Sequence, residues 1–378
     1  MKNKLPSLIA KDSASAQSVI RVGLINTYLE GRESQIPLGE YPAHHLWGVD
    51  HLAADKFKFV IIPHSGDGLL SRAARSFSLL TRYRFGDLDQ EWQIWKNRNK
   101  IDIAYVAHGN IFVLLLLHAL GIYRPLIVRW KYTPIIKFPW WTLRELDLPL
   151  FNRGTDLMLC LTGRAEKSYK AHFPWLKVKQ MDWGVDIQQF APGARDGGFF
   201  FACGKTNRDY SQVLQAACDV PAPIHLVVHS AFLKGYQIPS NIHIAKGSSD
   251  GINDRGISYP QLIENYYHRA LAVLIPLKSI PDDTAGMTNL LEAMACGLPV
   301  IMTRTGAIEL NVHRLGIGLY VDPDDTEGWA SACNWILRNR QEARAMGDRG
   351  RELVETHYNS QRLATDLAEV FLKLTKQH

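Results

Sequence analysis

Residues 282–301 read DDTAGMTNLLEAMACGLPVI, in which two acids and small residues lead into a short apolar helix. A strand candidate, ALAVLIPL, precedes them at 270–277, and a second, LPVIMTR, begins at residue 298. The pattern predicts a helix that begins near Gly286 and ends at Gly297, the residue type favoured just after a helix C-terminus. A strand, a loop, a helix and a strand in this order indicate a parallel sheet covered by helices.

The start of the predicted helix is suited to bind an anion. Its first backbone N–H groups have no acceptor within the helix and carry the positive end of the helix dipole, which favours a phosphate. The residues that supply these groups are Gly286, Met287, Thr288 and Asn289. Glu292 lies roughly 6 to 9 Å further along the axis, where a carboxylate can accept hydrogen bonds from both hydroxyls of a ribose. The alternative is a solvent-facing Glu292 that only interacts favourably with the dipole.

The same alternation of apolar strand candidates and helical segments continues through the chain. Five candidates lie in the first half and six in the second: VIRVGLIN (19–26), FKFVIIP (57–63), IDIAYVA (101–107), RPLIVRW (124–130), TDLMLCLT (155–162), GFFFACG (198–204), IHLVVHS (224–230), NIHIAKG (241–247), ALAVLIPL (270–277), LPVIMTR (298–304) and GIGLYVD (316–322). Two such series predict an α/β protein of two Rossmann-like, doubly wound parallel-sheet domains with an interdomain cleft. We place the domains at 1–186 and 187–357, and we expect a C-terminal helix within 358–378 to pack back on the first domain.

The composition is that of an ordinary globular protein, with 46% hydrophobic and 21% charged residues. A net charge of +6 suits acidic ligands or an anionic membrane surface, but it is too small for a typical nucleic-acid-binding protein. The five cysteines form no CxxC pair and lie in or beside apolar segments, which predicts buried thiols in a reducing compartment. Because residues 1–18 also lack the apolar core of a secretory signal, we expect a cytoplasmic protein.

Residues 103–123 carry no charge over a length that could span a membrane. His108, Gly109 and Asn110 interrupt this run between a strand-length and a helix-length piece, and RPLIVRW follows as another strand candidate. We therefore predict a buried βαβ unit, with membrane insertion as the alternative.

TAGMTNLLEAMACGLPVIMTRTGAIEL (284–310) resembles the nucleotide-sugar segment of the retaining glycosyltransferases of family 4, which have the GT-B fold. Further resemblances lie in the hinge segment that includes GVDIQQFAP, in FFFACGKTNRDYSQVLQAA, in GISYPQLIENYYHRALAVLIPLK and in the tail MGDRGRELVETHYNSQRLATDLAEVF. The resemblance is specific over about 150–378 and faint before that. It implies that Glu292 holds the ribose hydroxyls. The family's first Glu, which contacts the donor sugar, maps to Thr284, and Asp282 or Asp283 of the same loop is the candidate to replace its charge.

The loop CGKTNRDY follows a strand and precedes a helix in the second half. Gly204 allows a tight turn there, and the resemblance places Lys205 and Arg208 on the diphosphate. Departure of a nucleoside diphosphate builds negative charge, which such cations stabilise. The alternative is a solvated loop with two surface cations. The resemblance also implies that the base packs near Gly256, Ile257 and Ser258.

Catalytic residues of the first half are harder to assign. The family's paired glycines after the first strand are replaced by Asn26 and Thr27, and Lys131 stands where the family often has a His. We expect His108, at a strand end, and His45, in YPAHHLWG, to lie in the cleft. The alternative is that each imidazole is satisfied by backbone groups of its loop.

The resemblance implies a hexosyltransferase that moves a sugar from a nucleotide diphosphate sugar to a polysaccharide, glycolipid or other glycoconjugate, without a metal or cofactor. Two other classes remain open: a sugar-nucleotide epimerase of the same fold, and a donor-binding protein without turnover. Residues 71–86 and 128–145 mix Arg and Lys with aromatic residues such as Trp130, Trp140 and Trp141. Such mixing suits peripheral binding to the inner face of an anionic membrane, and a basic surface over core aromatics is the alternative.

Overall fold

The framework of the protein consists of two parallel β-sheets with helices packed against them. The computed structural model describes residues 19–29, 31–63, 68–70, 72–73, 76, 88–135, 152–247, 256–280, 284–305 and 308–377. Within these residues each sheet has six strands. The predicted α/β class with two parallel sheets is therefore confirmed.

The first sheet has the strand order β2-β1-β3-β4-β5-β6. Its strands are Ile20–Asn26 (β1), Phe57–Ile61 (β2), Ile103–His108 (β3), Leu126–Lys131 (β4), Leu157–Cys160 (β5) and Val178–Gln180 (β6). The five strands predicted for this half are confirmed. The prediction missed β6, a three-residue edge strand that is too short to show a hydrophobic period.

The second sheet has the strand order β12-β11-β10-β7-β8-β9. Its strands are Phe200–Cys203 (β7), Ile224–Val228 (β8), Ile242–Lys246 (β9), Ala272–Ile275 (β10), Val300–Thr303 (β11) and Gly318–Val321 (β12). All six were predicted. Strands β7, β10 and β11 are buried along their whole length, as expected for central strands covered on both faces.

Nine α-helices have both ends within the described residues. They are Leu88–Lys96 (α1), Phe112–Ala119 (α2), Gly163–His172 (α3), Tyr210–Ala216 (α4), Tyr259–Leu262 (α5), Met287–Ala295 (α6), Thr326–Arg338 (α7), Arg340–Thr356 (α8) and Ser360–Thr375 (α9). Helix α6 is the one predicted from the opening stretch. Gly286 (φ +94°) caps its start and Gly297 (φ +67°) follows its end, both in the left-handed region that glycine tolerates.

The uncharged stretch 103–123 forms strand β3 and helix α2, and strand β4 follows in parallel to β3. The predicted βαβ unit is thus confirmed. None of the helices in the described ranges combines the length and the apolar character that a membrane span requires.

The chain passes between the two sheets twice, and the two connecting segments lie side by side. Val185 donates to the carbonyl of Tyr358 (2.8 Å) and accepts from the amide of Ser360 (3.1 Å). Gly184 is required at this approach, because a Cβ there would lie 2.2 Å from the carbonyl carbon of Asn359.

Helix α9 follows the second sheet in sequence but packs on the first. The ring of Phe371 lies 6.3 Å from that of Phe57 and 5.4 Å from that of Tyr105, centroid to centroid. These contacts are the ones expected for a C-terminal helix that returns to the first domain. The domain boundaries themselves stay a prediction. Among the cysteines, Cys218 is exposed, contrary to expectation, whereas the other four are buried as free thiols.

Candidate functional site

The loop between β7 and α4 faces the start of helix α6. Gly204 in this loop adopts φ +110°, and a Cβ at this position would lie 2.7 Å from a terminal nitrogen of Arg208. Glycine therefore permits both the turn and the close passage of the guanidinium. Lys205 is half-buried in the same loop.

Arg208 is a buried cation, with 6% of its surface exposed. Its guanidinium donates to the carbonyls of Cys203 (3.3 Å) and Thr206 (2.9 Å) and to the side-chain oxygen of Asn289 on α6. The alternative of a solvated surface cation is wrong for Arg208. The guanidinium is held against the first turn of α6, where the sequence predicts a diphosphate.

The side chain of Asn289 connects the β7–α4 loop to Glu292, whereas only its backbone amide was predicted to take part in the site. Its amide nitrogen lies 3.2 Å from Cys203 Sγ, 3.2 Å from Tyr267 Oη and 3.3 Å from Glu292 Oε2. Together with the bond from Arg208, these contacts form a continuous polar network from the β7–α4 loop to Glu292.

Glu292 lies inside this network and is almost sealed from solvent, with 2% of its surface exposed. Its Oε2 accepts a hydrogen bond from Tyr267 (2.7 Å), whereas Oε1 has no hydrogen-bond partner among the described residues. Burial raises the pKa of Glu292 to about 7, although the hydrogen bonds from Tyr267 and Asn289 lower it. The alternative of a solvent-facing Glu292 is therefore wrong, and its contact with a ribose stays a prediction.

The group that covers Glu292 comes from the first half of the chain. His44 Nε2 lies 3.7 Å from Glu292 Oε1, and the histidine is fully buried. The amide of Asp186 donates to His44 Nδ1 at 3.4 Å. The sequence-based prediction was the neighbouring His45. In the 3₁₀ turn Ala43–Leu46 successive side chains point about 120° apart, so only one of two adjacent histidines can face Glu292.

His45 points elsewhere in the same turn. Its ring stacks on Tyr41 at 4.8 Å, and its backbone carbonyl accepts from Asn26 (2.7 Å). Burial, together with the positive charge of Arg32, lowers the pKa of His45 to about 3. The imidazole is therefore neutral at physiological pH.

His108 ends strand β3 at the carboxyl edge of the first sheet, as predicted. Its Nδ1 is hydrogen-bonded to the hydroxyl of Thr27, and its ring lies 4.1 Å from that of Tyr28. These contacts tie His108 to the loop that follows β1.

A cavity of about 230 Å³ lies in front of α6, between the two sheets. Thr284 and Met287 line it from the second sheet, and Gln180 and Asp182 line it from the first. The amide of Met287 donates to the carbonyl of Thr284 (3.3 Å), so the expectation of an unpaired amide at Met287 was wrong. Thr288 and Asn289 follow it in the first turn, where the helix offers their amides no acceptor. Asp282 and Asp283 lie outside the described residues.

A carboxylate from the second half also lines this cavity. Glu309 accepts hydrogen bonds from the amides of Gly163 and Arg164, both at 2.9 Å, at the start of helix α3. A carboxylate at a helix N-terminus is favourably placed, so this contact helps to hold the two sheets together.

Ile257 lies just beyond the end of β9, where its amide donates to the carbonyl of Lys246 (3.0 Å). Its contact with a base stays a prediction. Within the ranges that the structure describes, no group of three or more His, Cys, Asp or Glu side chains could hold a metal ion. That the reaction needs no metal or cofactor likewise stays a prediction.

Two side chains of the polar network carried no clear signal in the sequence. Tyr267 reaches Glu292 from a π-helical turn, Ile263–Tyr267, and its direction cannot be read from a 3.6-residue period. His44 belongs to a loop that was predicted to lie at the cleft, but its partner Glu292 lies 248 positions away in the sequence.

Comparisons with known proteins extend these observations. Residues 255–353 match the sequence family described as Glycosyl transferases group 1. The chain is 34% identical to N-acetyl-alpha-D-glucosaminyl L-malate synthase of Bacillus anthracis over 82 residues, which is 22% of each protein. It is 27% identical to D-inositol 3-phosphate glycosyltransferase of Mycolicibacterium smegmatis over 170 residues, which is 41% of this chain and 38% of that protein. The matches thus span well under half the length of these relatives.

Solved structures match over nearly the whole chain. Sucrose-phosphate synthase from Thermosynechococcus elongatus superposes with a TM-score of 0.67 at 15% identity, covering 95% of this chain and 100% of the other. HepE from Anabaena in complex with UDP-glucose superposes with a TM-score of 0.60 at 14% identity, covering 94% and 100%. At this identity the likeness concerns the fold, and the protein has the two-domain GT-B fold.

Proposed function

We propose that this protein is a retaining glycosyltransferase of the family 4 type. It would move a hexose-type sugar from a nucleotide diphosphate sugar to a polysaccharide, glycolipid or other glycoconjugate acceptor. The proposal is supported by the GT-B fold, by the match of residues 255–353 to Glycosyl transferases group 1, and by a structural neighbour that was solved with UDP-glucose.

One observation carries the proposal: a cation and a carboxylate are joined through the first turn of α6. Arg208 bonds to the side chain of Asn289, and Asn289 bonds to Glu292. A diphosphate at the helix start would meet the guanidinium and the amides of the first turn, and Glu292 lies next to it for the ribose. The cation and the carboxylate thus follow each other in the same order as the diphosphate and the ribose of a sugar nucleotide.

In this scheme the protein positions the reactants and stabilises charge. Lys205 and Arg208 neutralise the departing diphosphate, and that phosphate accepts the proton of the acceptor hydroxyl as the sugar bond forms on the same face. The cavity beside Thr284 has room for a sugar next to the helix start. His108, His45 and Asp283 are the proposed contacts at the reacting centre, and Ile257 is the proposed contact of the base.

The test is incubation with a panel of UDP-, GDP- and ADP-sugars, followed by nuclear magnetic resonance of the products. Transfer or slow hydrolysis with an unchanged anomeric configuration supports the proposal, and inversion contradicts it. An isomerised donor would identify an epimerase instead. Binding without turnover would identify a donor-binding protein. This alternative is specific because Thr284 carries no charge at the position where the family has a Glu.

The acceptor is proposed from chemistry alone. A lipid-linked acceptor would require contact with an anionic membrane, from the cytoplasmic side for a cytoplasmic enzyme. Trp130, one of the aromatic residues expected at such an interface, is instead 5% exposed and donates to Tyr105 Oη (2.7 Å). Trp140 and Trp141 lie outside the described residues. The proposal of membrane contact therefore rests on the basic residues of this half.

A further inference from the structure

The loop between β1 and β2 carries His44 across the cleft to the second sheet. The imidazole lies between Trp183 and Phe190, with ring centroids 5.3 and 5.6 Å away. Its Nε2 faces Glu292 Oε1, and neither atom has a hydrogen-bond partner among the described residues. A buried side chain of one domain therefore covers the one unoccupied oxygen of a buried carboxylate in the other.

The hydrogen bonds around His44 define which nitrogen carries the proton. The amide of Asp186 donates to Nδ1, so Nδ1 presents its lone pair and Nε2 holds the hydrogen of the neutral ring. An N–H group thus points at Glu292 Oε1, but the separation of 3.7 Å exceeds the usual range for a hydrogen bond. The contact excludes water without forming the bond that would compensate for the lost hydration.

The two oxygens of Glu292 are therefore not equivalent. Tyr267 and Asn289 already occupy Oε2, and both residues belong to the second domain with Glu292. A ribose hydroxyl can reach Glu292 only through Oε1, and His44 lies on that side. With 2% of Glu292 and none of His44 exposed, no sugar fits between them.

We infer that His44 is a gate residue, which occupies the ribose side of Glu292 until a nucleotide displaces it. This inference rests on the proposed function, because it assigns the entry step of the same nucleotide site. The loop that carries His44 belongs to no strand of either sheet. Its further contacts with the second half include an edge-on packing of Tyr41 against Tyr259 (5.5 Å) and a bond from Gln189 to the carbonyl of Gly39 (2.8 Å).

The gate predicts that removal of the imidazole strengthens nucleotide binding. The experiment is calorimetric titration of the full chain with UDP, GDP and ADP, using wild type, His44→Ala, His44→Gln and His118→Ala. We expect His44→Ala to bind the preferred nucleotide about tenfold more tightly, because binding no longer has to displace the imidazole from the ribose side of Glu292. His44→Gln retains a donor and most of the volume, so it should bind like wild type.

His118→Ala is the control for a general loosening of the first domain. His118 is a partly buried histidine at the end of α2 that bonds to Tyr123 and Asp156, and its loss should leave nucleotide affinity unchanged. Equal or weaker binding by His44→Ala would overturn the gate while leaving the proposed function intact. An equal gain in His118→Ala would also overturn it. If no protein, wild type included, binds any of the three nucleotides, the proposed function fails and the gate fails with it.

Discussion

Replacement of Glu292 by glutamine should make the protein more stable at neutral and alkaline pH. The burial that raises the pKa of Glu292 from 4.5 to about 7 favours the protonated form in the folded state. The folded protein therefore binds more protons than the unfolded chain between these two values. The stabilisation is fully present below pH 4.5 and is lost as the pH rises through 7.

The size of the effect follows from the shift. A difference of two to three pKa units between folded and unfolded states corresponds to about 3 kcal/mol of unfolding free energy, at about 1.4 kcal/mol per unit. Glu292→Gln removes the ionisable group while keeping the shape and an oxygen that accepts from Tyr267. The variant should match wild type near pH 4.5 and exceed it by about 3 kcal/mol at pH 8.5.

Burial shifts the pKa values of the other titratable groups around Glu292 away from neutral pH. Burial lowers the pKa of His44 well below 6.5, raises those of Tyr267 and Tyr259 well above 10, and raises that of Cys203 to about 12. Burial also raises the pKa of the Cys296 thiol well above 9. Among these neighbours, Glu292 is therefore the group whose pKa is shifted into the neutral range.

The assay is urea unfolding followed by tryptophan fluorescence from pH 4.5 to 8.5. Glu352→Gln on α8 is the matched control, because Glu352 is exposed and should show no such pH-dependent difference. If the difference between Glu292→Gln and wild type does not grow with pH, the carboxylate is hydrated in solution and the sealed site described above is wrong.

Three further outcomes can be measured. Combined Lys205→Ala and Arg208→Ala substitution should reduce turnover at least about 100-fold. Loss of the exposed Arg304 should leave turnover unchanged. Equal rates of donor hydrolysis in the double variant and wild type would contradict the diphosphate contact. Gly184→Ala should destabilise the protein by about 1–3 kcal/mol, since a Cβ would lie 2.2 Å from Asn359. Gly163→Ala is the control, because a Cβ there meets nothing closer than 3.5 Å. Similar melting temperatures for the two variants would show that the backbone near Gly184 can relax. Co-sedimentation with anionic liposomes should occur at low salt and weaken at high salt, and no binding at either salt would exclude the membrane contact.

Much of the fold could be predicted from local sequence. Eleven of the twelve strands in the described ranges were found because buried parallel strands are continuous apolar runs between turn residues. Helix α6 was found because Gly286 and Gly297 mark its ends. Strand β6 was missed because three residues cannot show a period.

The candidate site was predictable only in part. The sequence placed the amide of Asn289 at the start of α6, and its family resemblance put Lys205 and Arg208 on a diphosphate. It gave no means to choose His44 over His45, since that choice depends on a single 3₁₀ turn. It also could not show that Tyr267 bonds to Glu292.

By itself, therefore, the sequence determined the two sheets, their helices and the position of Glu292 on α6, because these follow from hydrophobic periods and helix-end signals within a few residues. Only the tertiary structure decided that Glu292 is buried, that one of its oxygens bonds to Tyr267, and that the other faces His44. The physical reason is that burial and pKa depend on side chains from distant segments. Their approach across the cleft is fixed by the packing of two domains rather than by any local pattern.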